Sequence, residues 1–375
     1  MLRPVVWIAI SAGLAFGEAH SDKQAMTVAE LSQYLAGPAV HESDASLARS
    51  VGSLHLAERL TPASLARLNE TLHAGPQTQE ALRLLADESA FLDPPAAEAP
   101  NKTPPNAAEQ QTMLNAAVNF VAVTMRRLPD FFATRTTDSF DDAPTVVTHS
   151  GWSPAGDIHA DGTFHEAITY RGGREVVGER SSVKGGSNGS GPPGLTSTGE
   201  FGPLLATILR DTSHGTIAWS HWEQTSSGTV AVFHYAVPEA ASHYEVDYCC
   251  VKSGEDPTAY GPGGTPNGYH GRPAYHGELF LDPATGTILR VTLVSELKSS
   301  DPINRAGVAV DYAPVIIEGD KTYICPVHSV ALSVAETMGA GENGARQLTR
   351  INEVSFTGYH RFGSTIRVVS PAGQP

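Results

Sequence analysis

The residues with the clearest capacity for chemistry are histidines and carboxylates at strand spacing. His221 and Glu223 are two positions apart in a predicted strand, so their side chains lie on the same face of a sheet. His234 lies in the next predicted strand, across a hairpin turn. Imidazole and carboxylate groups are common zinc ligands, so these three residues are a candidate metal site for a hydrolase. The alternative is a set of hydrogen-bonded sheet histidines without a metal.

Other motifs give weaker signals. His159, His165 and Glu166 lack the His-Glu-x-x-His spacing, and the Tyr-His-Gly repeat around His270 and His276 indicates either a binding loop or a turn. No serine lies in the strand–turn–helix context of a nucleophile elbow, and no Cys-x-x-Cys pair is present. The sequence therefore favours a non-catalytic protein and indicates no cofactor.

A set of aromatic residues is concentrated in the same part of the chain. On a curved sheet, such side chains either line the concave face and contact a ligand, or form the sheet core. The candidate ligand-binding residues are Trp219, Trp222, Phe233, Tyr235, Tyr244, Tyr248 and Phe280.

The chain has three cysteines, which allow one disulfide bond. Strand alternation places Cys250 inward and Cys249 outward. A bond between Cys250 and Cys325 would join two distant strands, with Cys249 as the alternative partner. A bond between the adjacent Cys249 and Cys250, or three free thiols, are the other possibilities.

Residues 25–130 are predicted to be helical. Leucines recur at helical spacing, and Thr61 followed by Pro62 is typical of a helix start. The proline-rich residues 93–105 form a predicted linker before a further helix at 107–127.

From residue 131 to about 365 the pattern changes to short alternating segments, and this region is the second predicted domain. The alternating segments predict about ten antiparallel strands, with one inserted helix at 200–209. The glycine-rich residues 181–199 and residues 254–273 are predicted surface loops. The predicted fold class is α+β, with a helical region followed by a large curved antiparallel sheet, a half-barrel.

The N-terminus and the composition indicate where the protein is located and which partners are disfavoured. Arg3, an apolar stretch and small residues at 1–19 are typical of a cleaved signal peptide, so a periplasmic or secreted bacterial protein is expected. The formal net charge of −15 disfavours binding to nucleic acid. No interior apolar run is long enough for a transmembrane segment.

Two resemblances extend these expectations. The hairpin GELFLDPATGTILRVTL at 277–293 resembles the Asp-Pro-x-Thr-Gly hairpins of periplasmic half-barrels, namely the lipoprotein carrier LolA and the MucB/RseB regulators. Stretches such as SHYEVDYCCV at 242–251 resemble a group of secreted bacterial proteins of unknown function. The half-barrel resemblance implies an open apolar concavity, although the helical region has no counterpart in the carriers.

These observations lead to three hypotheses. The first is an exported cell-envelope protein that binds a lipid, a lipidated protein or another envelope protein in an apolar concavity. The second is the metal-dependent hydrolase built on His221, Glu223 and His234. The third is a structural scaffold whose sheet is plugged by its own helices and whose loops meet a partner.

Overall fold

The structure is a computed structural model. It describes residues 25–37, 42–142, 147–148, 151–152, 158–184, 191–249, 268–317, 321–338 and 345–361. The predicted signal peptide at 1–19, Cys250 and most of the predicted loop at 254–273 lie outside these residues.

Six α-helices are described. They are α1 (Val28–Ala36), α2 (Asp44–Gly52), α3 (Pro62–Leu72), α4 (Pro76–Glu88), α5 (Ala107–Asn119) and α6 (Pro203–Asp211). Polar N-cap side chains fix where four of them begin. Thr27 and Asn106 each form a capping box with the glutamate three residues later, and Thr61 caps α3 as predicted. A π-helical turn (Phe120–Thr124) and a 3-10 turn (Met125–Arg127) continue α5.

Fifteen β-strands are described. They are β1 (Phe131–Asp141), β2 (Val147–Thr148), β3 (Gly151–Trp152), β4 (His159–Arg171), β5 (Arg174–Lys184), β6 (Gly194–Leu195), β7 (Thr216–Thr225), β8 (Gly228–Val237), β9 (Val246–Cys249), β10 (Tyr269–Gly271), β11 (Ala274–Leu281), β12 (Ile288–Glu296), β13 (Ile303–Ile316), β14 (Thr322–Met338) and β15 (Ala345–Arg361).

Ten of these strands form one open antiparallel sheet. Its order is β5-β4-β1-β15-β14-β13-β12-β11-β8-β7, so β5 and β7 are the edges. The turn between β11 and β12 forms where Asp282 accepts hydrogen bonds from the backbone of Ala284 and Thr285, and where Gly286 takes a positive φ of 71°. The α+β class, with a large antiparallel sheet and an inserted helix, is confirmed.

Two of the predicted loops contain ordered elements. Part of the 181–199 segment forms β6, and its Leu195 is buried in the core rather than at the surface. β10 lies within the predicted 254–273 loop and pairs with β9, which pairs with β6. Gly194 fits closely over Arg350 with a φ of 88°, so the glycine content that suggested a surface loop instead permits tight packing.

Helices cover both faces of the sheet. We call the face that carries Phe233 and Tyr235 the inner face. It shares one core with α6 and with the end of α5. We call the opposite face, which carries Val330 and Leu332, the outer face. Leu84 of α4 packs against it.

The helical region has a core of its own and is linked to the sheet by a packed segment. Buried residues of α1 to α4 form one apolar cluster. In the proline-rich segment at 93–105, Glu98 is buried and accepts hydrogen bonds from the hydroxyls of Thr61 and Ser64. The carbonyl of Thr103 accepts a hydrogen bond from the indole of Trp222 on the edge strand β7.

Within the described part of the chain, no helix has both the length and the apolar character that crossing a membrane requires.

Candidate functional site

Most of the aromatic residues proposed as ligand contacts lie in the core of the inner face. Phe233 and Tyr235 are fully buried, and the Trp219 ring centroid lies 4.8 Å from that of Trp222 and 5.5 Å from that of Phe233. The hydroxyl of Tyr235 donates a 2.7 Å hydrogen bond to the carbonyl of Thr292. These contacts make the side chains part of the sheet's own packing.

Of the three remaining aromatic residues, two also belong to the inner-face core and one does not. Tyr244 and Tyr248 join the inner-face core, where α6 contributes Leu205 and Ile208, both fully buried. Phe280 instead lies on the outer face, with the Arg59 guanidinium 5.1 Å from its ring centroid. The buried rings of the inner face therefore share one core with the chain's own helix α6, while Trp219 and Tyr244 are partly exposed.

An apolar groove of about 390 Å³ remains at one end of this core. It lies between the end of α5, helix α6 and the hairpin of β4 and β5. Its lining consists of Val118, Val121, Ala122, Met125, Tyr170, Gly173, Phe201, Gly202, Pro203, Ala206, Leu209 and Arg210. Val118 is 50% exposed. The groove therefore presents apolar surface to solvent.

Arg210 is the one charged residue in this lining, and it lies at the surface. Its Nε donates a 3.1 Å hydrogen bond to the buried Asp211. That carboxylate also accepts hydrogen bonds from the backbone and ring of His243 and from the hydroxyl of Tyr275. The last residue of α6 is thus fixed, and the guanidinium is held at the rim of the groove.

A buried polar cluster lies behind the Phe201 wall of the groove. Arg135 forms ion pairs with Glu200 at 3.4 Å and with Glu166 at 3.9 Å. Burial raises the pKa of the nearby Glu175 to about 7, and the charge of Glu200 adds to the effect. The cluster therefore holds a carboxyl group that changes charge near neutral pH.

The predicted metal trio shares one face but does not form a ligand set. His221 and Glu223 are 3.4 Å apart, as their spacing predicted. The Glu223 carboxylate, however, pairs with Arg59 of the helical region. The His234 ring lies 5.9 Å from that of His276 instead. The Glu223 carboxylate is therefore already paired with a guanidinium, and His234 has a different neighbour.

Among the described residues, one other group has the spacing of metal ligands. Asp87 of α4, His328 of β14 and Glu353 of β15 place one ligand atom each within 4.8 Å of one another. No sequence motif indicates this group, because its members are far apart in the chain and come together only when α4 packs on the sheet.

The cysteines differ from the prediction. Cys325 is a free, buried thiol, so neither Cys250 nor Cys249 forms the expected bond with it. Cys249 is disulfide-bonded, and Cys250 lies outside the described residues. Cys325 lies within β14, and burial raises the pKa of its thiol to about 12.

Sequence reasoning also missed the residues of the groove. Val121 and Met125, in the helix predicted at 107–127, are buried in the core, whereas Val118 is 50% exposed at the groove. A groove between two helices depends on how far apart they pack, which apolar spacing does not encode.

Comparison of the chain with protein-family models, with curated proteins and with solved structures finds no match.

Proposed function

We propose that the protein is a non-catalytic, exported cell-envelope protein that binds the acyl chain of a lipid or of a lipidated protein. The proposed binding site is the groove between α5 and α6. The observation that carries this proposal is the solvent-accessible apolar lining, with Val118 half exposed and Arg210 as the only charged lining residue.

The dimensions and chemistry of the groove favour a single chain with an anionic end. Its volume of about 390 Å³ is at the lower end of the range of small-molecule pockets, roughly 300–1,000 Å³. A narrow apolar groove buries methylene groups, each of which contributes about 0.8 kcal/mol. Arg210 at the rim would pair with a carboxylate or phosphate head.

The location in the cell envelope rests on the N-terminal sequence pattern at 1–19 and on the resemblance to periplasmic half-barrels. The net charge of −15 would keep the chain away from an anionic bilayer. A single lipid molecule or a lipidated protein is therefore a more fitting ligand than a membrane surface.

The first experiment measures ligand binding with a matched pair of variants. Purified mature protein is titrated with a 16-carbon fatty acid and examined by native mass spectrometry. Ala206→Trp fills the groove from an exposed position on α6, whereas Ala66→Trp places the same side chain at an exposed position on α3, outside the groove. We expect Ala206→Trp to weaken binding at least tenfold and Ala66→Trp to leave it unchanged. Equal binding by both variants would contradict the proposed site.

A second comparison tests the anionic end. Arg210→Glu should weaken binding of the fatty acid at least tenfold. It should change binding of the neutral monoacylglycerol of equal chain length much less, because that ligand has no charge to pair.

The self-plugged scaffold is the second candidate function. It is favoured by α6, whose Leu205 and Ile208 fill the inner face with no exposed area. On this alternative the groove binds no acyl chain, and both tryptophan variants behave as the unmodified protein does in the fatty-acid titration, with no bound species.

A further inference from the structure

The outer face of the sheet has a polar cluster next to an apolar contact. Leu84 of α4 and the nearby Phe91 pack against the buried Val330, Leu332 and Ile351 of the sheet. Beside this contact, Asp87 of α4 meets His328 and Glu353. Such groups are buried at a cost unless they are paired or bind an ion.

The two separations around Nε2 of His328 are longer than a charge-assisted hydrogen bond. Nε2 of His328 lies 3.4 Å from Oδ1 of Asp87 and 3.5 Å from Oε1 of Glu353. Among other histidine–carboxylate pairs, His55 and Glu88 are 2.8 Å apart and His221 and Glu223 are 3.4 Å apart, so what distinguishes the cluster is that two carboxylate oxygens flank one imidazole nitrogen. A charge-assisted hydrogen bond is about 2.7–2.9 Å long. Three atoms around a tetrahedral zinc ion, with bonds of about 2.0–2.2 Å, would be about 3.3–3.6 Å apart.

The surrounding residues would orient such ligands. Nδ1 of His328 faces Asp311 at 3.3 Å, an arrangement that fixes the ring so that Nε2 points toward Asp87 and Glu353. Arg290 holds Asp311 at 2.7 Å, and Arg83 pairs with the other oxygen of Glu353 at 3.2 Å.

Charge and hydrogen bonding also leave a place for a cation. The cluster has three carboxylates, from Asp87, Glu353 and Asp311, against the two guanidinium groups of Arg83 and Arg290. An imidazole that binds zinc must be neutral, and in that state the three carboxylates exceed the two guanidinium groups by one negative charge. Oδ2 of Asp87 has no hydrogen-bond partner among the described residues, although the residue is only 4% exposed.

We propose that Nε2 of His328 and one carboxylate oxygen each of Asp87 and Glu353 bind a zinc ion, which joins helix α4 to strands β14 and β15. One nitrogen and two oxygen ligands suit zinc, and the fourth position is left to water. His328 is 28% exposed, which gives the ion a route from solvent. The site lies on the opposite face of the sheet from the groove and does not depend on lipid binding.

The test uses the full mature chain after treatment with EDTA. Zinc chloride is titrated in at pH 7.5 by calorimetry, and the melting temperature is measured with and without zinc. Asp87→Asn removes one proposed ligand. Glu88→Gln removes the adjacent carboxylate on α4, which pairs with His55 at ordinary hydrogen-bond distance.

We expect the unmodified chain to bind one zinc ion and to melt at a higher temperature with zinc. Asp87→Asn should bind at least tenfold more weakly and lose the shift, and Glu88→Gln should retain both. The absence of saturable zinc binding, or equal affinity in the Asp87→Asn variant, would overturn the proposal, and His328 would then be a protonated partner of the carboxylates.

X-ray absorption of the zinc-loaded, unmodified chain gives a readout that does not depend on the folding of a variant. A shell of oxygen and nitrogen with one imidazole is expected. Several imidazoles or a sulfur atom would place the zinc elsewhere and refute the site.

Discussion

Replacement of Arg59 by methionine should destabilise the protein through the charge that it leaves behind. Arg59 comes from the helical region and pairs with Glu223 of β7 at 2.5 Å. The two side chains are only 4% and 6% exposed. Methionine retains most of the apolar contact with Phe280 but provides no charge. The variant therefore contains a buried carboxylate without its cation.

The expected loss follows from the burial of the pair. Removing one partner of a buried ion pair costs about 3–5 kcal/mol, since the remaining charge is neither solvated nor paired. His221 lies 3.4 Å from Glu223 and compensates in part, so we expect about 3 kcal/mol. Replacing both partners, as Arg59→Met with Glu223→Leu, removes both charges and should cost less than the single change in Arg59.

Urea unfolding of the unmodified chain, the two single variants and the double variant gives the coupling energy of the pair. A coupling of about 2–4 kcal/mol is expected. If Arg59→Met lost less than about 1 kcal/mol and the double variant lost the sum of the single changes, the pair would behave as a solvated surface pair. In that case, desolvated charges would not hold the helical region to the sheet.

Three further predictions concern single residues. Glu175→Gln should stabilise the protein at pH 8 by about 1–3 kcal/mol but not at pH 4, as measured by urea unfolding, because a carboxyl pKa raised to about 7 removes stability as pH rises from about 4.5 through 7. Cys325, with its thiol pKa raised by burial to about 12, should resist iodoacetamide in the folded chain and react after unfolding, as peptide mass spectrometry would show; rapid labelling of folded protein would contradict its burial. Gly277→Ala should cost about 3 kcal/mol in thermal unfolding because the new methyl group would overlap the carbonyl of Thr292, whereas Gly52→Ala in α2 meets no neighbouring atom and should be neutral or slightly stabilising.

The elements could be predicted because local patterns decide them. The cap at Thr61 and the turn at Asp282 are determined by nearby residues, and each occurs where the sequence indicates it. The short strands β6 and β10 were missed for the opposite reason. Their pairing is with β9, and glycine-rich sequence by itself resembles a surface loop.

The site could be predicted only in part. The positions of His221 and Glu223 on one face follow from strand alternation, and the structure has them 3.4 Å apart. What the spacing could not reveal is that Arg59, more than 160 positions earlier in the chain, occupies the carboxylate. Nor could the spacing reveal that Asp87 and His328 lie close together, because a contact between helix and sheet depends on how the two regions dock.

The charged groups of the outer face suggest why these two regions dock in one way. Apolar contacts such as that between Leu84 and Val330 stabilise docking but allow several relative positions. Paired buried charges stabilise only the position in which each charge meets its partner. Arg59 and Asp87 reach the sheet at separate strands, β7 and the β14–β15 pair, and each meets a group of opposite charge or a histidine there. A shift of one strand would leave buried charges unpaired at both places. We therefore expect loss of either contact to loosen the position of the helical region on the sheet more than its own internal packing, which hydrogen exchange in α4 compared with α1 would reveal.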